Sequence, residues 1–365
     1  MRHHLAAVII LLSLSNLAFG PAVLTESDFA RCRVAPHQSE LLTPPTSPEI
    51  TARAGLLVDG ASGTTLFARN ERERLPPAST TKMVTALLAV EGANLGDRVG
   101  ILPSDLSVGS VMGISATEEP TLRELLYGLL LVSDNAVAEI IARHVAGSRE
   151  SFMVAMNSWV AGIGLSDTHF CNPHGLDEAN HYSSAHDLAA IGLRLLENPL
   201  LAEIVSTREQ WAASRLLEST NELLGSYPGT TGVKTGTTDA AGQCLVASAR
   251  RGESWALAVV LGSRDRYGDA RALLDHYFGG YQQVSLGLEP SPLARIRDSE
   301  GVWRPLVTRD SARVLMARWQ AAYLRSFLRI EVEDITGASD EPVGRMWYLL
   351  FDRTVAEFPL YVGAY

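Results

Sequence analysis

The chain has 365 residues, 46% of them apolar and 20% charged, the balance of a folded globular protein and not of a disordered one. That length allows two domains with cores of their own. A formal net charge of -10 argues against a nucleic-acid partner and accounts mainly for solubility.

The chain opens on Met1-Arg2-His3-His4, a short stretch leaning positive, and continues from Leu5 to Phe19 as an apolar run broken only by Ser and Asn. With small residues at Gly20 and Ala22, residues 1–24 read as an export signal. An uncleaved N-terminal anchor is the alternative, although the run is short of the about 20 residues a span requires. A buried N-terminal helix is the plainer rival. No lipoprotein-like cysteine directly follows the run, and no second spanning stretch occurs, so an extracytoplasmic protein is expected, secreted or tethered through its N-terminus. Residues 25–50 read as a linker, rich in proline and polar side chains from Pro36 to Pro48.

A β-hairpin is predicted next, its strands at 54–59 and 64–68 and its turn at Ala61-Ser62-Gly63. After Pro76-Pro77 a helix is expected from about Ser79, carrying Met83, Leu87, Leu88 and Val90. Thr121 with Glu124 three residues on is a capping box, and Leu122, Leu125, Leu126 and Leu129 give that helix an apolar face. Another helix runs from Ala136 to Val145 and stops at Gly147. The helical pattern returns from Ser183 to about Leu196. From Gly232 the texture becomes that of strands, at 232–237, 243–249 and 254–261, with turns at 239–242 and Arg251-Gly252. The unbroken apolar run from Trp255 to Leu261 predicts a central strand. Residues 266–278 close the unit as a helix. The remainder has strand-like runs at 327–332, 345–350 and 354–360 and one stretch, 311–324, that reads as helical. It is expected to be a small β-rich domain without chemistry of its own. The three cysteines, Cys32, Cys171 and Cys244, leave at least one thiol unpaired. Cys171 and Cys244 are the pair the fold could bring together, though free buried thiols are the simpler expectation.

Three short strings carry the chemistry. In Ser79-Thr80-Thr81-Lys82, serine and lysine share a helix face, so the amine can take the hydroxyl proton if its pKa is lowered. The Ser79 backbone N–H, near a helix start, can hold a developing oxyanion. In Ser133-Asp134-Asn135, at a helix-to-helix junction, the serine can relay a proton to a leaving amine and the asparagine can grip a peptide bond. Asp134 is expected to point into structure. In Lys234-Thr235-Gly236, on a strand, the lysine supplies positive potential, the threonine hydroxyl can bind a carboxylate, and the glycine admits a substrate backbone. Thr237 can give the second oxyanion N–H. Each string alone is weak: a plain helix start, a turn and an edge strand with an exposed lysine look the same. Together, in this order, they match the S-x-x-K, S-D-N and K-T-G set of serine acyl-transfer enzymes that penicillins acylate.

Over about residues 54–278 the chain resembles one family of that group, the D-alanyl-D-alanine carboxypeptidases of the low-molecular-weight penicillin-binding proteins, peptidase family S11. The likeness includes Pro77-Ala78-Ser79, Asn172-Pro173-His174-Gly175-Leu176-Asp177 with His181-Tyr182-Ser183-Ser184 and Asp187-Leu188, and Gly232 to Thr237 with Ala241-Gly242. The resemblance implies a mixed α/β, β-lactamase/transpeptidase-like fold, a helical subdomain against a central antiparallel sheet, with a small β-sandwich-like C-terminal domain. Domain bounds of 51–281 and 282–365 follow from it. It implies Ser79, Lys82 and Ser133 as catalytic residues. Asn135, Lys234, Thr235, Gly236, Thr237 and Arg266 are the implied substrate-binding residues, and Ser79 and Thr237 the oxyanion hole. Arg266 falls where the family carries a carboxylate-binding arginine, with Arg264 close beside it. The implied substrate is a peptidoglycan stem peptide ending in D-Ala-D-Ala, with β-lactams as inhibitors and no metal or other cofactor. No amphipathic helix follows Leu360, so the C-terminal membrane anchor of several such proteins is expected to be absent.

Three rival readings compete with this one. A class A β-lactamase shares the strings but needs a loop glutamate where this chain has Phe170-Cys171-Asn172-Pro173-His174. A zinc peptidase would draw on His169, His174, His181 and His186, yet no H-E-x-x-H occurs; loop histidines that orient the floor of the site are the plainer reading. A non-catalytic wall-binding or β-lactam-sensing protein would be free to lose Ser79, Lys82, Ser133 and Lys234.

Overall fold

The computed structural model describes residues 46–290, 294–332, 335 and 340–363, together with 9–12 and 23–24. The segment read as an export signal and the linker after it lie outside the described residues, except for strands β1 (Ile9–Leu12) and β2 (Val23–Leu24) and the linker's end from Thr46. Two compact units are present, one of Ser47–Phe278 and one holding Gly279–Tyr365 with the two N-terminal strands.

In the larger unit β3 (Ala54–Asp59) and β4 (Thr65–Arg69) form a hairpin whose turn is held by Asp59 Oδ2, which accepts the Ser62 N–H and hydroxyl at 2.8 and 2.7 Å. Helix α1 (Lys82–Gly92) follows a 3₁₀ turn, Ala78–Thr81. Helix α2 (Leu122–Leu130) starts on the capping box: the Glu124 N–H donates to Thr121 Oγ1 at 3.2 Å and the Thr121 N–H to Glu124 Oε2 at 2.8 Å. Helix α3 (Asn135–Ala146) starts on Asp134 and ends on Gly147, whose φ of +80° makes glycine the natural stop. Helix α4 (Arg149–Gly162) was not foreseen; Ser148 caps it, and Phe152, Met156 and Val160 form its narrow buried stripe. Helices α5 (Ala185–Glu197) and α6 (Pro199–Ser206), the small hairpin β5 (Glu209–Ala212) to β6 (Arg215–Glu218) and the short α7 (Leu223–Ser226) lead to the sheet. There β7 (Thr230–Thr238), β8 (Gly242–Arg251) and β9 (Ser254–Ser263) are antiparallel, and α8 (Arg266–Gly280) follows.

The five strands lie in the order β4-β3-β9-β8-β7. The run read as a central strand is the middle one, and residues 256–261 are fully buried, as a strand covered on both faces must be. One apolar cluster joins Leu56 and Val58 of β3, Met83 and Leu87 of α1, Leu125 and Leu129 of α2, Ile140 and Ile141 of α3, Leu188 of α5 and Val246 of β8. The helices are thus packed on the sheet, and β7 at the sheet's edge runs beside the turn that carries Ser79.

The smaller unit is built of strands. Its sheet has the order β11-β12-β16-β15-β14-β1-β2, with β11 (Arg295–Arg297), β12 (Trp303–Val307), β14 (Leu324–Ile330), β15 (Gly344–Leu350) and β16 (Arg353–Val362). The helix expected over 311–324 is mostly absent. Ala312–Ala317 is a strand, β13, paired residue for residue with β10 (Tyr281–Leu286), and only Arg318–Ala321 is helical. Ala, Arg, Leu and Met favour helix locally, but the unpaired backbone of β10 gains a full ladder from this segment, and tertiary pairing overrides propensity.

Candidate active site

Lys82 ties the nucleophile's turn to two other segments of the chain. Its Nζ stands 2.8 Å from Ser79 Oγ, 2.7 Å from Asn135 Oδ1 and 2.8 Å from the His174 carbonyl oxygen. Burial pushes its pKa well below the usual lysine range, and the Lys234 charge pushes the same way, with Asp134 opposing both. A neutral amine has two N–H groups and one lone pair. Asn135 Oδ1 and the His174 carbonyl can only accept, so they take the two N–H groups and leave the lone pair facing the Ser79 hydroxyl. In that neutral form the arrangement can pass the Ser79 proton to Lys82. The turn before Ser79 is strained, since Ala78 has φ +48°, a region few side chains adopt.

The Ser133-Asp134-Asn135 string divides by residue. Ser133, at φ +61°, lines a cavity of about 580 Å³ together with Ser79, Thr235, Gly236, Thr237 and Arg266. Asp134 is fully buried and turned into structure. Its Oδ1 caps α3 through the Val137 N–H at 2.9 Å, and its Oδ2 accepts the Ser110 hydroxyl and the Met112 N–H, both at 2.6 Å. Asn135, the first residue of α3, spends its oxygen on Lys82 and keeps its amide N–H groups for a ligand.

On β7 Lys234 is 1% exposed, so this edge strand does not carry the exposed lysine of the plainer reading. Its Nζ donates to the Thr235 carbonyl at 3.0 Å, and burial first, then the Arg266 charge, lower its pKa to about 7. Thr235 and Thr220 share a hydrogen bond of 2.7 Å between their hydroxyls. Gly236 permits the close approach: a Cβ there would sit 2.9 Å from both the Ala78 Cβ and the Ser79 nitrogen. Of the two neighbouring arginines, Arg264 is exposed and Arg266 is tied in. Arg266 donates through Nη1 to the Gly236 and Cys244 carbonyls at 2.9 and 3.3 Å, through Nε to Gln243 at 3.3 Å, and through Nη2 to the Thr237 hydroxyl. Four of its five N–H groups are then engaged, leaving one on Nη2 for a ligand, while Thr237 keeps its own hydroxyl proton to donate.

The histidines separate in the same way. His181 is buried and held neutral, its pKa pushed down to about 4 by burial first and then by His174 and His169. Its Nδ1 accepts the Cys171 N–H at 3.1 Å, so its Nε2–H donates to Thr81 Oγ1 at 2.9 Å, inside the nucleophile's turn. His174 supplies its carbonyl to Lys82. Among the described residues no group of three or more His, Cys, Asp or Glu is arranged to hold a metal ion. Cys171 and Cys244 are both free; Cys32 lies outside the described residues.

Residues 42–265 match the family model of peptidase S11, described as D-alanyl-D-alanine carboxypeptidase. The chain belongs to this family. It is 32% identical over 306 residues to D-alanyl-D-alanine carboxypeptidase DacF of Bacillus subtilis, covering 80% of this chain and 75% of that one. To DacA of Escherichia coli it is 33% identical over 276 residues, 71% of this chain and 68% of the relative. Penicillin binding protein 5 from Haemophilus influenzae superposes with a TM-score of 0.67 at 27% identity, over 88% of this chain and 98% of that one. The mixed fold with its β-rich second unit is therefore the family's own.

Several members of the cleft carry no signal readable alone. Thr220, Tyr267 and Gln243 line the same cavity; Tyr267 OH donates to the Thr220 carbonyl at 2.7 Å, and Gln243 Oε1 accepts the Arg266 N–H at 3.1 Å. The His174 carbonyl is a backbone atom, which no residue type announces.

Proposed function

We propose that the protein is a serine-type D-Ala-D-Ala carboxypeptidase that removes the terminal D-alanine of peptidoglycan stem peptides. What supports this above all is the Lys82 amine, dry and flanked by two pure acceptors, with its lone pair on Ser79. Ser79 Oγ attacks the carbonyl between the two D-alanines while its proton passes to Lys82. The Ser79 and Thr237 N–H groups hold the oxyanion. The C–N bond then breaks, with Ser133 helping to hand the proton to the leaving amine, while Asn135 aligns the peptide. Lys234, Thr235 and the free N–H of Arg266 hold the terminal carboxylate, and Gly236 keeps the wall low. Water attacks the ester, Lys82 takes its proton and returns it to Ser79 Oγ as the ester C–O bond breaks, and the shortened peptide leaves. Every proton and charge in this scheme is handled by the chain's own groups, so it requires no cofactor. β-Lactams enter by the same attack and acylate Ser79.

We further propose that residues 51–281 act as the catalytic domain and 282–365 as a C-terminal domain, and that 1–24 direct the protein out of the cytoplasm, toward its wall substrate. N-terminal sequencing of protein recovered from outside the cytoplasm tests the last point. The central test is one assay on wild type and Ser79→Ala, following D-alanine release from a pentapeptide and labelling by fluorescent penicillin. Both signals are expected to vanish in Ser79→Ala; release that persists overturns the mechanism.

A further inference from the structure

Helix α3 touches the Lys82 environment twice. Asn135 at its first position accepts from Lys82, and Glu139, one turn on, faces His174, whose carbonyl is the other acceptor. The two residues share a helix face by their spacing of four. His174 is 3% exposed, and its ring is read from both sides. Nδ1 accepts the Leu176 N–H at 3.1 Å, so the proton of the neutral ring is on Nε2. That Nε2 lies 3.2 Å from Glu139 Oε1, a close contact that does not reach hydrogen-bond geometry. The same oxygen is buried and accepts no hydrogen bond among the described residues, and the Arg149 guanidinium stands 3.7 Å away.

Nothing in the acyl-transfer scheme requires a carboxylate here, yet this one is buried against the residue whose backbone oxygen orients the base. The loop has little freedom otherwise. Gly175 has φ +91°, and a Cβ on it would come within 1.9 Å of the Ala78 carbonyl oxygen, so the loop and the nucleophile's turn are in close contact. Asn172 Oδ1 accepts the Gly175 N–H at 2.7 Å from the loop's other end.

We propose that Glu139 is a positioning residue for the acylation step: by holding the His174 ring from α3, it fixes the His174 carbonyl against Lys82 and so aims the Lys82 lone pair at Ser79. The proposal rests on the reading of Lys82 as the base. Without the carboxylate only the Asn172 bond to the Gly175 N–H still holds this peptide unit, so the His174 carbonyl shifts against the amine and the lone pair is held less squarely on the serine. Substrate binding, which uses Asn135, β7 and Arg266, does not draw on the Glu139 side chain.

The test is rapid-mixing labelling with fluorescent penicillin, which separates the acylation rate constant from the initial binding constant. Glu139→Ala is expected to lower the acylation rate constant at least tenfold with binding within twofold of wild type. Glu139→Gln, which keeps an amide oxygen packed beside the ring, is expected to stay within threefold. Should Glu139→Ala fail to fold, Glu139→Met keeps the volume without the acceptor and carries the same expectation. Wild-type acylation in a folded Glu139→Ala overturns the proposal, as does an equal loss in Glu139→Gln. Lys82→Ala in the same assay separates the two levels: if it is silent while Glu139→Ala is normal, the positioning role alone fails, and if it acylates normally, the base assignment fails.

Discussion

Beside the cleft, Lys82, Lys234 and Asp134 are no more than 1% exposed, while arginines of the β-rich unit keep their heads near solvent and pair with surface carboxylates, Arg345 with Glu357 and Arg309 with Asp340. The β-rich unit has an apolar core of Leu306, Leu328, Leu360 and their neighbours. Its buried aspartate, Asp298, holds a turn, accepting the Glu300 and Val302 N–H groups and the Arg304 guanidinium. Removing an amine from water costs folding energy, so buried lysines persist where something is gained by lowering their pKa. In the larger unit the proposed gain is a base at Lys82 and a carboxylate clamp at Lys234. In the smaller unit polar groups serve the backbone.

That contrast breaks most sharply at Lys82. Replacing it by alanine is expected to slow penicillin acylation by about 10³-fold, the scale of a lost general base, with circular dichroism showing a folded protein. Retained acylation would remove the chemical meaning of the buried amine. Next comes the clamp. If Lys234 holds the terminal carboxylate as proposed, its pKa, lowered to about 7, means that the attracting charge is lost as pH rises, and kcat/KM for peptide hydrolysis should fall through that range. Arg266→Gln removes a positive neighbour that disfavours the ammonium, so the alkaline limb should move upward, and kcat/KM at its plateau should drop by about tenfold. A limb that stays in place would mean that another group sets it.

Asp134 sharpens the comparison, because it is buried beside the chemistry but works for the backbone. Asp134→Ala strands the Val137 and Met112 N–H groups and the Ser110 hydroxyl, and a loss of about 2–4 kcal/mol in urea unfolding is expected. Unchanged stability would show that these donors find water instead. Smallest of all on activity should be Leu360→Ala, a fully buried core residue of the β-rich unit. It should cost that unit about 2–5 kcal/mol and leave acylation within twofold of wild type at 25 °C. A tenfold drop would join the two units functionally.

Much of the architecture was legible because it is written locally. The Thr121-Glu124 box, the Gly147 stop and the apolar run of β9 each act within one turn or one pleat, and each is where the pattern put it. Helix α4 carries the same kind of signal, Ser148 and then Phe152, Met156 and Val160, but its stripe is too narrow to stand out in the sequence. The stretch 311–324 misled for the opposite reason: its residues favour helix, and only the distant β10 made it a strand.

The site followed the same rule. By itself the sequence determined which side chains could react, Ser79, Lys82, Ser133 and Lys234, in what order, and on which kind of element, since those are properties of residue type and short spacing. Only the tertiary structure decided that the Lys82 amine is dry, that Arg266 and not Arg264 is tied to the strand, and that His174 works through its backbone oxygen. Proton affinity and lone-pair direction depend on solvent exclusion and on partners 53 and 92 residues away in the chain. Folding alone brings them together.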